Sequence, residues 1–198
     1  ISEQDRVAID NEINELQHYV LMAEGIGFET KAQALLKALA ASFDKVERLG
    51  GLRRALIFTE SRKTQEYLKS FFEANGFRNK VVCFNGTNSN DEANNIYHKW
   101  LLTHVGTSYV TGNVQIDKKQ SLVDFFKDSA EIMIATEAGA EGINLQFCSL
   151  VVNYDMPWNP QRIEQRIGRC HRYGQKHDVV VVNFVNKANA ADCRVYEL

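Results

Sequence analysis

Four arginines, Arg162, Arg166, Arg169 and Arg172, fall within the stretch from Gln161 to Gln175 (QRIEQRIGRCHRYGQ), with His171 among them and Glu164 as the single acid. A guanidinium stays protonated at ordinary pH and presents a planar fork of N–H donors matched to phosphate oxygens. A group of them therefore suits the neutralisation of phosphoryl charge as it transfers. On a helical turn the spacing of Gln165, Arg169 and Arg172 puts all three on one face, and Arg162 and Arg166 then lie off it. The bland alternative is an amphipathic helix with a solvated charged rim, which is what most charge runs are.

Gln165, Gly168, Arg169 and Arg172 make the pattern Q-x-x-G-R-x-x-R, which resembles motif VI of superfamily 2 helicases and translocases; the following Tyr173, Gly174 and Gln175 resemble the swi/snf-type branch. Ala135 to Leu145 (ATEAGAEGINL) is similar to motif V of the same families, and Ala55 to Leu68 (ALIFTESRKTQEYL) to motif IV. Three motifs in the correct order carry far more weight than one. The resemblance covers about Leu52 to Asn186, the second RecA-like lobe of such a motor, and leaves out the first fifty residues and the stretch from about Asn88 to Gln115. Two details depart from the pattern. Swi/snf motors usually carry an acid where Gly168 stands, and strand-separating helicases often carry histidine where Gln165 stands.

The elements needed to position these motifs are legible in the chain. Up to about residue 50 two helices are expected, Ser2 to Glu24 stopped by Gly25 and Gly27, and Thr30 to Leu49 ended by Gly50 and Gly51. Glu3, Asp5, Asp10, Glu12 and Glu15 make the first acidic, which gives it little support as a nucleic-acid surface. From Arg54 short apolar runs alternate with amphipathic helices, the signature of parallel β-α-β units. ALIFT, VVCF, EIMIAT, CSLVVNYD and VVVVNFV read as strands. Helices are expected at Ser61 to Asn75, Asn90 to Thr103 and Lys118 to Lys127, in the arginine segment, and from Ala188 onward. The fold expected for residues 51–198 is an α/β, RecA-like open sheet, mainly parallel, with helices on both faces. Residues 1–50 form a helical extension, and residues 88–115 an insertion that the family pattern lacks. Asp91-Glu92-Ala93 is no metal-binding acidic box, because it opens a helix where such a box must end a buried strand. Trp100 in the same helix could stack on a base but is better read as packing.

A chain of 198 residues with 44% hydrophobic and 24% charged residues is an ordinary globular one, and its net charge of −2 confines any nucleic-acid contact to a local surface. Cys83, Cys148, Cys170 and Cys193 form no C-x-x-C pair and read as reduced core cysteines of a cytoplasmic protein; a zinc site on Cys170, His171 and His177 lacks a paired knuckle. No apolar run approaches a membrane span and no signal peptide opens the chain, which begins at Ile1 as a fragment of a longer protein would.

Hydrolysis of a nucleoside triphosphate needs a phosphate cradle, a metal site, a group that positions water and positive charge at the γ-phosphate. Only the last is here: no G-x-x-x-x-G-K-[ST] occurs, and no acidic pair ends a strand. The resemblance implies half of a two-lobe, bacterial-type DNA motor. An absent first lobe would hold ATP and Mg²⁺, and this lobe would close over it, inactive alone. Arg169 and Arg172 would be arginine fingers, Gln165 a γ-phosphate contact, and Gly142, Asn144 and Gly168 would lie by the nucleotide and the lobe interface. Asn144 could equally be a turn residue. Thr136, at the start of a short helix after a strand, can hold a nucleic-acid phosphate with its hydroxyl and the free N–H groups there. Thr59, Arg62, Gly86 and Thr87 would continue that track along DNA, with RNA possible. The alternative is a catalytically silent nucleic-acid-binding or scaffold module with this fold. A dinucleotide-binding dehydrogenase domain fails for want of a G-x-G-x-x-G after a strand.

Overall fold

The computed structural model describes residues 3–24 and 30–185; the helix expected from Ala188, Cys193 and the glycines expected to stop the first helix lie outside them. The chain divides into two compact units, Ile1–Ala34 and Leu35–Leu198. Helix α1 (Glu3–Glu24) belongs to the first. Its Ile9, Ile13 and Leu16 recur at three- and four-residue steps and are exposed. Helix α2 (Thr30–Arg48) begins in the first unit and continues into the second, where Leu35, Leu39, Phe43 and Val46 form a buried stripe. Lys45 and Arg48 in its last turn favour the negative end of the helix dipole. The chain then turns at Gly50 (φ 82°), and a Cβ on Gly51 would stand 2.4 Å from Ser149 Oγ.

The second unit is built on five parallel strands: β1 (Ala55–Thr59), β2 (Val81–Phe84), β3 (Ile132–Thr136), β4 (Leu150–Asn153) and β5 (Val180–Asn183). Their order is β2-β3-β1-β4-β5. Every residue of β1 to β4 is buried. That explains why these strands read as continuous apolar runs without alternation: a parallel sheet is covered on both faces.

Helix α3 (Arg62–Phe72) follows β1, and Ser61 caps it as expected, its side chain accepting from Lys63 N. A single wide turn over Glu73–Phe77 ends at Gly76, whose φ of 95° suits glycine. Between β2 and β3 stand α4 (Asp91–His104) and α5 (Val114–Asp128). Asn90 caps α4, so Asp91-Glu92-Ala93 does open a helix. Trp100 is buried and donates Nε1 to Asp124 Oδ2 at 2.7 Å, joining α4 to α5. Helix α5 starts four residues before the expected Lys118, because Asn113 accepts from Gln115 N and Ile116 N. Behind that cap the Asp117 carboxylate accepts from Thr111 N, Thr111 Oγ1 and Gly112 N. The Thr111 hydroxyl, with the two backbone N–H groups, outweighs burial and holds Asp117 below the usual carboxylate range. A short α6 (Glu137–Ala140) follows β3, and α7 (Pro160–Ile167) lies between β4 and β5. Cys83, Cys148 and Cys170 are buried free thiols, and burial above all raises Cys83 to about 12.

Candidate functional site

The carboxyl ends of β1 to β4 carry the motif residues, where ligands bind in open parallel sheets. Asn159 caps α7, its side chain accepting from Gln161 N, and Pro160 occupies the first turn, where its missing N–H costs nothing. The helix closes at Gly168, whose N–H donates to Glu164 O at 2.7 Å. The chain continues in tight turns, Arg169 N to Arg166 O at 3.1 Å and His171 N to Ile167 O at 2.8 Å. The expectation of one helical face for Gln165, Arg169 and Arg172 is therefore corrected. Gln165 is on the helix and Arg169 just past its end, whereas Arg172 sits in the loop beyond.

Arg166, expected only to lie off the face of Gln165 and Arg169, is buried. It is 1% exposed. Its Nη2 lies 2.7 Å from Glu137 Oε2, its Nη1 donates to Asn153 Oδ1 at 2.9 Å and to Asp155 O at 2.8 Å, and its guanidinium lies 4.9 Å from the Phe58 ring centre. Asp155 Oδ2 in turn accepts from Thr59 Oγ1 at 2.7 Å and from Glu60 N at 3.1 Å. One buried cation thereby ties together the ends of β1, β3 and β4. Thr59 is corrected by the same contact: it is fully buried with its hydroxyl committed to Asp155, so it offers nothing to a phosphate. Arg162, Arg169 and Arg172 form no ion pair among the described residues. Arg162, Gln165 and Arg169 line a cleft of about 280 Å³ whose other wall is Glu137, Ala138 and Glu141.

Gly142 (φ 79°) is exposed, and a Cβ there would meet nothing within 4 Å, so its backbone is open to a ligand. Asn144 Oδ1 accepts from Gln146 N at 3.3 Å, a turn-forming contact. Thr136 is 8% exposed at the end of β3 and makes no side-chain cap on α6. A Cβ on Gly139 would meet Asn85 Cα at 2.6 Å, so α6 lies directly on the turn after β2. In that turn Asn85 Oδ1 accepts from Thr87 N and Asn88 N, and the Asn85 amide donates to Gln65 Oε1 at 3.0 Å. Gln65, 1% exposed, donates to Phe84 O and Ile134 O. Arg62 Nη2 donates to Thr87 Oγ1 at 3.1 Å, so Arg62, Gly86 and Thr87 are brought to one place. Beside them a cleft of about 220 Å³ is lined by Gly86, Thr87, Asn88, Gln115, Lys118 and Lys119. Residue type and spacing gave no notice of Gln65, Glu137, Asp155 or the two lysines, and only a faint one that Arg166 is buried. Among the described residues no three His, Cys, Asp or Glu side chains cluster as a metal ion would require, and no helix is long and apolar enough to cross a membrane.

Residues 78–174 match the family model of the helicase conserved C-terminal domain. The uncharacterized ATP-dependent helicase YqhH of Bacillus subtilis is 47% identical over 110 residues, 54% of this chain and 19% of that protein. The chain carries a helicase C-terminal domain and is similar there to the second RecA-like lobe of swi/snf-related helicases of superfamily 2. Helicase swr1 of Aspergillus fumigatus matches this helicase lobe at 28% identity over 178 residues, 86% of the chain and 9% of that protein. Among solved structures, the C-terminal part of the Fun30 ATPase domain has the same fold, with a TM-score of 0.58 at 20% identity over 84% of this chain and 44% of that one. The helicase lobe thus spans a fifth or less of the length of these two curated relatives.

Proposed function

We propose that this lobe supplies the positive charge that completes an ATP site held on a first lobe, and that it carries part of a nucleic-acid track. The observation that supports this most directly is the division among four neighbouring arginines. Arg166 is consumed by Glu137, Asn153 and Asp155, and its burial holds the segment in place. Arg162, Arg169 and Arg172 form no ion pair among the described residues, and the first two, with Gln165, face the cleft beside Glu137 and Glu141. Guanidinium groups outside any ion pair, Arg162 and Arg169 in a cleft of about 280 Å³ and Arg172 in the loop beyond, fit the phosphate end of a nucleotide. ATP would present its γ-phosphate to Arg169, Arg172 and Gln165, with Gly142, Asn144 and Gly168 at the lobe interface. Mg²⁺ would be held by carboxylates of the first lobe and would neutralise charge between the phosphates when bound. Arg169 and Arg172 orient the terminal phosphate and stabilise the charge that develops on it.

Arg62, Gly86, Thr87 and Thr136 would contact backbone phosphates of DNA. Such contacts are insensitive to sequence and weaken steeply with salt.

In the protein carrying both lobes, Arg169→Ala or Arg172→Ala is expected to lower kcat for ATP by at least about tenfold, with DNA affinity and Tm nearly unchanged. A charge that acts chiefly in the transition state appears in kcat more than in KM. Equal, modest losses at Arg162, Arg169 and Arg172 would instead favour a solvated cluster. The 198-residue chain alone is expected to show no ATPase activity, with or without DNA; turnover by it would overturn the two-lobe reading.

A further inference from the structure

The loop that carries Arg172 has no regular secondary structure to hold it. Helix α7 ends at Ile167 and β5 does not begin until Val180. Arg172 and Tyr173 are exposed, and Gly174 takes a φ of 101°. A loop of this kind would let a guanidinium wander over several ångströms, yet a charge acting on a transferring phosphoryl group must be fixed far more closely.

Two anchors flank Arg172. On one side the Cys170 side chain is fully buried in the apolar core beside Cys148 and Leu145. On the other, the Gln175 side chain spends its whole hydrogen-bonding capacity on backbone. Its Nε2 donates to Cys148 O at 3.2 Å and to Cys170 O at 3.1 Å, and its Oε1 accepts from Lys176 N at 2.9 Å and His177 N at 3.1 Å. The last residue of motif V and the strip after it add two further bonds, Leu145 N to Arg169 O at 2.9 Å and Gln146 Nε2 to Tyr173 O at 2.6 Å.

We propose that Gln175, seconded by Gln146, is the positioning residue of the arginine loop, clasping it to the segment after motif V so that Arg169 and Arg172 are presented in one orientation. This inference rests on the finger reading above. It adds a residue that touches neither nucleotide nor nucleic acid and acts only through the two arginines. The role needs an amide: two N–H groups meet two carbonyls, and an oxygen meets two N–H groups. A carboxylate at the same position keeps the acceptor, loses both donors and sets negative charge against the Cys148 and Cys170 carbonyls.

The test uses Gln175→Glu and the uncharged, similarly shaped Gln175→Met in the two-lobe protein, read by steady-state ATPase kinetics with duplex DNA, by Tm and by amide hydrogen exchange. Exchange over 169–177 should quicken in both variants while the strands stay protected. kcat should fall about tenfold or more, as small misplacements of catalytic groups do, with KM for ATP little changed. Adding Gln175→Glu to the double variant Arg169→Ala/Arg172→Ala should be no worse than that double variant alone, because Gln175 acts only through the two arginines. Unchanged exchange over the loop overturns the clasp whatever the kinetics show. Parallel falls in kcat, KM and Tm, or a further loss in the triple variant, overturn it in favour of a general structural role. If Arg169→Ala and Arg172→Ala are themselves silent while exchange quickens, the finger reading is what fails and the proposed role falls with it. Silent Gln175 variants beside impaired arginine variants refute the clasp alone.

Discussion

The two ends of the sheet handle charge in opposite ways. At the amino end, cations and acids neutralise one another: Glu131 receives both Arg53 and Lys80, and Arg54 donates to the Phe126 and Lys127 carbonyls that close α5. At the carboxyl end a single arginine is paired and buried, and Arg162 and Arg169 nearby form no ion pair among the described residues. A protein with a net charge of −2 can therefore still concentrate positive charge at one place. It does so by arranging pairs elsewhere, which is why whole-chain charge says so little.

Arg166→Ala probes the contrast most severely. Removing one partner of a buried pair strands the others, here Asn153, the Asp155 carbonyl and a partly exposed Glu137, and the expected loss is roughly 3 kcal/mol, the low end of the usual range. Thermal or denaturant unfolding measures it; a loss under about 1 kcal/mol would place Arg166 among ordinary surface arginines and erase the difference between the two ends. A milder effect is expected at the amino end. Burial raises the Glu131 carboxyl, but the Lys80 and Arg53 hydrogen bonds outweigh it, and the net direction is downward. A carboxyl with a lower pKa folded than unfolded stabilises fully at neutral pH and progressively less as pH falls from about 4 through the folded value. Glu131→Gln should accordingly cost about 1 kcal/mol at pH 7, and the gap to wild type should close in acid; a gap that is constant with pH would mean the pairs contribute nothing. The smallest change is expected at Ser149, whose hydroxyl, alone among the buried side-chain polar atoms of the described residues, has no hydrogen-bond partner. Ser149→Ala should leave Tm unchanged or raise it, by up to about 1 kcal/mol of stability. A clear drop would reveal an unrecognised partner at the amino end.

The fold is legible in the sequence because parallel strands buried on both faces appear as bare apolar runs, and because side-chain caps such as Ser61 announce helix starts. The start of α5 escapes for a local reason: Asn113 reads as the tail of a turn, and only the structure shows that it caps the helix. In the site, residue type and motif spacing locate the arginines but cannot tell a buried one from a solvated one. A faint signal exists at Arg166, three residues after Ile163 and just before Ile167, beside the apolar side of α7. Thr59 misleads for the opposite reason. A hydroxyl at a strand end looks available until Asp155, from beyond another strand, is seen to claim it. Gln65 is illegible altogether, since a glutamine on an amphipathic helix gives no sign that it will bridge the Phe84 and Ile134 carbonyls.

The strand order has a consequence for how the lobe is made. Neither β1 nor β2 has a neighbour in the sheet until β3 exists, because β1 pairs only with β3 and β4, and β2 only with β3. As the chain leaves the ribosome, two strands destined for the core must wait through α4 and α5 with their backbone hydrogen bonds unmade. The five residues Ile132–Thr136 then close both pairings at once. Such non-local closure is slow, and a waiting apolar strand is a template for association with other chains. The emergence of IMIAT is thus the moment at which β2 and one edge of β1 cease to be open templates, with the other edge of β1 left for β4.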